Sequence, residues 1–234
     1  MPIHHVLSTL PPLPDRIKRL PVDARGYPVP YFVTWLDEQG RACPNGQGKP
    51  DFRVVTAQRI AQCVREKRCW ICGETLGAYK SFVIGPMCAV NRISAEPPQH
   101  LECADFAARA CPFLVNPTQH RREKGLPEGH RDAAGVMIRR NPGVALIYTT
   151  RSFNVFRADD RGVLFELGDP HSVRWYCEGR TATRAEVMAS IDGGLPILLA
   201  EAEAEGPYAV ACLNEMMARA ITLVPPRNAS DACA

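Results

Sequence analysis

The sequence contains no run of apolar residues approaching the roughly 18 that a membrane-crossing helix needs. Its longest candidates are Val144–Tyr148 and Leu195–Ala200, so no transmembrane helix is expected. The N-terminal stretch MPIHHVLSTLPPLPDRIKRL has no basic segment followed by an unbroken apolar run, because prolines interrupt it early. No secretory signal is read there, and a soluble, cytoplasmic protein is expected. No segment repeats another, which excludes a solenoid or an array. With 46% hydrophobic and 23% charged residues in 234, the chain has enough apolar material for a full core without disulfide staples.

Proline and cysteine are plentiful. The 21 prolines exceed the usual level of about 5%, and loops should be numerous. Ten cysteines in a secreted chain would suggest disulfides; in a reducing compartment, clustered cysteines more often bind metal. Five of the ten (Cys69, Cys72, Cys88, Cys103, Cys111) fall between positions 69 and 111. Cys43, Cys63, Cys177, Cys212 and Cys233 are dispersed and read as buried or incidental thiols.

Residues 1–28, with Pro11, Pro12, Pro14, Pro21 and Pro28, read as an extended Pro-rich arm. A strand at Tyr31–Leu36 and another at Phe52–Val55 suit a hairpin with a long connection. Thr56 begins a helix to about Arg68, with Ile60 and Val64 on one face. A strand at Ser81–Ile84, a turn at Gly85-Pro86 and a helix from about Pro98 to Ala110 follow. Asn116–Arg140 is the best linker, which separates a zinc-binding module over 29–125 from a strand-rich segment with C-terminal helices over 140–224. In that second part, strands are predicted at 144–150, 153–156, 163–167 and 173–177. Thr183-Arg-Ala-Glu186 is a capping-box pattern, predicting a helix that stops at Gly193-Gly194. Helices over about 196–205 and 207–221 follow, the second with a core stripe of Val210, Leu213, Met217 and Ile221.

The most informative feature is Cys69-Trp-Ile-Cys72-Gly73 followed by His100-Leu-Glu-Cys103. Two short-spaced pairs of soft ligands can close a tetrahedral zinc site. The glycine after the second cysteine suits a tight knuckle, and Pro97-Pro98 suits a helix start that would put His100 and Cys103 in its first turn. The predicted ligands of Zn²⁺ are Cys69, Cys72, His100 and Cys103. A second set, with Cys88 in place of His100, also supplies four soft ligands, whereas Cys111 lies off the helix face of Cys103 and reads as a buried thiol.

The order of knuckle, strand, turn, strand and helix resembles a treble-clef zinc finger over about 35 residues. The wider block, including Phe82–Cys88, Glu96–His100, Ala110–Phe113 and Ile138–Gly143, resembles a group of uncharacterised bacterial and prophage-borne proteins, which implies a mobile-element setting and no particular activity. The fold class expected is therefore α+β: a treble-clef-like module, then a small antiparallel sheet and C-terminal helices.

Three functions compete. Residues 1–145 carry 20 Lys and Arg against 13 Asp and Glu, a balance of +7, while residues 146–234 carry 8 against 12, a balance of −4. An anionic partner would meet the N-terminal part. Nucleic acid is the preferred partner, with Arg65, Lys67 and Arg68 as phosphate contacts, helped by Arg59, Lys80, Arg92 and Arg109 nearby, and with Trp70 and Tyr79 as stacking groups. A zinc-dependent hydrolase or nuclease is the second, with Glu102 or Glu96 as acid or base. The treble-clef frame is shared with HNH nucleases, but Ala78–Val90 contains neither histidine nor an acidic residue. A Cys88 nucleophile with His100 as base is a variant of that reading. The third is a protein-interaction or inhibitory factor. His120, His130 and His171 stand in polar segments and are expected on the surface.

Overall fold

The computed structural model describes residues 10–52, 55–120, 141–159 and 162–227. It is an α+β structure whose paired strands are all antiparallel. A short helix α1 (Asp15–Lys18) precedes a small sheet of β1 (Thr34–Leu36), β2 (Ala42–Cys43) and β3 (Lys49–Asp51), ordered β2-β1-β3. The expected hairpin partner of β1 thus lies a few residues earlier than Phe52–Val55; Arg53 and Val54 are outside the described residues, as are His130 and 121–140 of the proposed linker.

Helix α2 (Ala57–Glu66) starts where its sequence signals. The Thr56 hydroxyl accepts from the Arg59 amide at 3.3 Å, beside the 3.0 Å bond of that amide to the Thr56 carbonyl, so the cap residue serves this first-turn donor twice. The helix ends at Lys67 in the left-handed conformation. Strand β4 (Lys80–Ile84) is followed by helix α3 (Pro86–Asn91) rather than by a simple turn, since Pro86 at the first helical position presets the backbone. Then come β5 (Ile93–Ser94), α4 (Leu101–Ala110) and α5 (Pro112–Val115). Helix α4 starts three residues later than Pro98 because Gln99 is still extended, exchanging backbone bonds of 2.9 and 2.7 Å with Ser81.

The second half contributes β6 (Ala145–Thr150), β7 (Phe153–Asp159), β8 (Gly162–Leu167), β9 (Pro170–Cys177), β10 (Arg180–Thr181), α6 (Arg184–Glu205) and α7 (Pro207–Ile221). The larger sheet is ordered β10-β9-β6-β4, and the third sheet β5-β8-β7. Strands from both sides of the proposed linker therefore share each of these two sheets: β4 pairs with β6, and β5 with β8.

Strand β6 is buried along its whole length because both faces of its sheet are covered. Leu146 and Tyr148 join Phe82, Ile84 and Trp175 in the main core, against Met87 and Val90 of α3, Val187 and Ile191 of α6 and Leu213 of α7. On the opposite face, Ile147 packs on Ala104 and Ala108 of α4, whose small side chains permit close approach to the sheet. Phe82, Phe153 and Phe165 interlock at centroid separations of 5.6–6.1 Å and join the two larger sheets.

The capping box at Thr183 and Glu186 forms, but α6 does not stop at Gly193-Gly194. It continues through Pro196 to Glu205, so the two helices expected over 184–205 are one. Tertiary packing explains the difference. A Cβ at Gly194 would stand 2.9 Å from Met87 Cγ and Sδ, so glycine is what lets α6 lie against α3. On α7, Leu213 is buried and Val210, Met217 and Ile221 pack on the same core, as their helical spacing predicts.

Candidate metal centre

The segment from Arg68 to Thr75 folds into a tight knuckle. Arg68 and Thr75 form an antiparallel bridge, the Cys69 amide donates to Glu74 O at 2.8 Å, and the Gly73 amide donates to Cys69 O at 2.9 Å. Gly73 takes φ +76°, and a Cβ there would stand 2.6 Å from the Tyr31 ring. Arg68 locks the turn: its Nη1 donates to Gly73 O at 2.9 Å while its Nε meets Glu66 at 2.6 Å.

The second pair of side chains is brought to the knuckle by backbone bonds on both sides. The Trp70 amide donates to Pro98 O at 3.0 Å, and the Ser81–Gln99 bridge holds the next residue in register. His100 then occupies the N-cap position of α4 without capping it through its side chain, and Cys103 sits in the first turn. The partial positive charge at that helix end favours an anionic sulfur.

One ligand atom from each of Cys69, Cys72, His100 and Cys103 lies within 4.8 Å of all the others. A tetrahedral ion with metal–sulfur bonds of about 2.3 Å needs sulfurs about 3.8 Å apart, so the group fits an ion with small side-chain adjustments. Cys69 and Cys103 are fully buried, and Cys72 and His100 partly so. The imidazole is oriented for ligation. Its Nε2 lies 3.0 Å from the Thr75 carbonyl, which can only accept, so Nε2 carries hydrogen. Nδ1 lies 3.3 Å from Cys72 Sγ and faces the cluster, so that loss of its proton would free a lone pair for a metal ion there. The His100 amide also points at Cys69 Sγ, 3.4 Å away.

By themselves these groups share protons unequally. Hydrogen bonds from Cys103 and Cys72 pull the Cys69 thiol far below its usual range. The same contact with Cys69 pushes Cys103 up, and His100 is raised to about 10 by its hydrogen bond to Cys69. The cluster is thus electrostatically prepared for positive charge, which a metal ion supplies by displacing protons. Burial pushes nearby Cys63 up to about 12, as expected for an inert thiol outside the cluster.

The alternative ligand Cys88 is on α3, packed against the main core, and is not in the cluster; Cys111 stands at the far end of α4. Strands β4 and β5 between the knuckle and α4 belong to different sheets, so the hairpin expected there is replaced by a bridge from β4 to Gln99. Glu102 is engaged by Arg16 at 2.6 Å and is half exposed, and Glu96 lies in the turn where Ser94 Oγ accepts its amide at 3.1 Å.

The N-terminal arm is not extended over its described part. Ile17 of α1 is 1% exposed and packs with Cys69, Trp70, Ile71 and Cys103. Around it, Arg16 joins Glu74 to Glu102, and Arg19 meets Glu74 at 2.5 Å. The reading of residues 1–28 as an extended arm missed this strap; the signal that could have shown it is the apolar spacing of Leu13, Ile17 and Leu20 among the prolines, all three of which pack on the knuckle cluster.

Of the expected phosphate contacts, Arg65 and Lys67 are exposed at the end of α2, with Arg65 also 3.0 Å from Glu66, while Arg68 is turned inward to the knuckle. Arg59 covers the Tyr31 ring at 4.3 Å, and Arg92 pairs with Asp169 at 2.9 Å. Trp70, expected as a stacking group, is 1% exposed and stacked on Phe32 at 4.9 Å, so it serves the core. Tyr79 remains on the surface. His120 and His171 are exposed, the latter within β9. Among the described residues no helix is long and apolar enough to cross a membrane. Comparison of the chain with protein-family models, with curated proteins and with solved structures finds no match in any of the three.

Proposed function

We propose that this chain is a zinc-stapled binding protein, with Zn²⁺ held by Cys69, Cys72, His100 and Cys103 in a structural role and with nucleic acid as its partner. The observation that carries the metal assignment is the mutual 4.8 Å approach of three sulfurs and one imidazole nitrogen. A set of three thiolates and one imidazole is the donor chemistry that suits zinc, and four protein ligands fill its tetrahedron. No position is then left for a water nucleophile, which favours binding over hydrolysis. The Arg16 ion pair on Glu102 supports the same choice, since that carboxylate serves the strap.

The nucleic-acid part of the reading is supported by the positive balance of residues 1–145 and by the exposure of Arg65 and Lys67 beside the knuckle. A prophage or mobile-element setting belongs to the same proposal. Two measurements test it. Purified protein should contain about one zinc ion per chain, lost together with knuckle stability in Cys69→Ser. Binding to DNA or RNA should weaken steeply with salt, and a charge-removing Arg65→Ala, Lys67→Ala pair should lower the salt slope. Protein that folds without metal under reducing conditions would refute the zinc assignment, and no binding to any nucleic acid at low salt would refute the partner.

A further inference from the structure

One surface feature remains that neither the core nor the metal cluster uses. At the end of the larger sheet, the Tyr79 ring is 44% exposed and lies against the exposed His171 ring, with centroids 4.4 Å apart and planes tilted by 34°. The Arg151 guanidinium stands 5.4 Å from the Tyr79 ring centroid. Lys80 Nζ donates to the Ala78 and Arg151 carbonyls at 3.0 and 3.3 Å, which fixes a second cation at the same end of the sheet.

The backbone is arranged to make this group. The β4–β6 register pairs Lys80 with Thr150, so continuing the ladder by one residue sets Tyr79 beside Arg151. Across β6, the register slips: Thr149 faces Ser172 while Thr150 faces Pro170. His171 is the extra residue at this bulge, and bulges re-aim side chains. Here the bulge accompanies a ring that reaches across to Tyr79. With much of the Tyr79 and His171 rings still facing water, the group gains only part of the stability that full burial would give. Asp169, two residues before His171, is held by Arg92 at 2.9 Å, which blunts its repulsion of an anion.

We infer that Tyr79, His171, Arg151 and Lys80 form a stacking platform for the unpaired bases of a single-stranded nucleic acid, an inference that rests on the nucleic-acid reading above and specifies its substrate. Rings offer sequence-independent stacking to exposed base faces, and the flanking cations meet the phosphates between successive bases. A duplex keeps its base faces inside its own stack and would gain only the cationic contacts. Whether the strand is RNA or DNA is a matter of the sugar, so both belong in the test.

The test is fluorescence anisotropy of the full chain with labelled single-stranded RNA, single-stranded DNA and the matched DNA duplex at low salt. Wild type should bind at least one of the single strands more tightly than the duplex. Tyr79→Ala and His171→Ala should each weaken single-strand binding by about fivefold or more, with Tyr79→Phe close to wild type because the ring is kept. Equal thermal stability and metal content of the variants confirm that the fold is intact. Tight single-strand binding unchanged by both alanine variants, or a preference for the duplex, would overturn this platform and leave the nucleic-acid reading standing. Failure of wild type to bind any of the three probes would overturn both.

Discussion

At Gly73 two independent constraints meet: the left-handed φ of +76° and the Tyr31 ring 2.6 Å from where a Cβ would stand. Gly73→Ala should therefore destabilise the knuckle by at least about 1 kcal/mol from the backbone alone, and weaken metal binding as well. Chemical unfolding with a parallel zinc-competition titration checks this; an unchanged midpoint and affinity would show that the turn relaxes freely. The cysteine and histidine spacing made the grouping of Cys69, Cys72, His100 and Cys103 legible because each pair lies on one local element, a turn or a helix start. The groups that tune them were not legible. The Thr75 carbonyl that sets the His100 tautomer is main chain, and Arg16 reaches Glu102 across 86 positions. Trp70 illustrates the converse: its residue type suits both stacking on a base and packing in a core, and only the position of Phe32 decides.

Among the elements, α6 and its cap give a pH test. Glu186 accepts from the Thr183 amide at 2.8 Å and meets Arg180 at 2.5 Å, and with Arg180 as the leading cause its pKa is lowered to about 2. A carboxyl whose folded pKa is depressed stabilises the protein above its unfolded pKa, near 4.5, and loses that contribution as pH falls toward about 2. Glu186→Gln should therefore cost roughly 0.5–1 kcal/mol near neutral pH, with the gap to wild type closing as the pH is lowered through that window. Thermal unfolding of the pair across pH measures it, and a gap that stays constant would contradict the assignment. The Thr183 signal was legible because a capping box is local. The continuation of α6 past Gly193-Gly194 was not, because it depends on Met87, which lies more than a hundred positions earlier. Sequence signals for helix ends describe the isolated segment, whereas burial against α3 decides for the folded one.

Among the described residues the apolar side chains form separate groups: the Cys/His cluster shares its core with α1 and the knuckle, while the main core lies between the larger sheet and α3, α6 and α7. Metal removal should therefore loosen the arm before it unfolds the sheets. Chelator under reducing conditions should speed tryptic cleavage at Arg16, Lys18 and Arg19 while most of the circular dichroism persists, and Ile17→Ala should produce the same early cleavage with metal still bound, since its buried side chain contributes about 2 kcal/mol or more. Simultaneous collapse of all structure on chelation would show that the two cores act as one. The α+β class was legible from alternating and helical patterns; the way the sheets draw on both halves of the chain was not, because pairing of β4 with β6 and β5 with β8 joins segments separated by a long polar stretch.

X-ray absorption at the zinc edge on purified, reduced protein reads the proposed ligand shell directly. One zinc site is expected, with three sulfurs at about 2.3 Å and one imidazole nitrogen at about 2.0 Å and with no oxygen ligand. Fewer sulfurs together with a coordinated oxygen, or folded protein that carries no zinc, would contradict it.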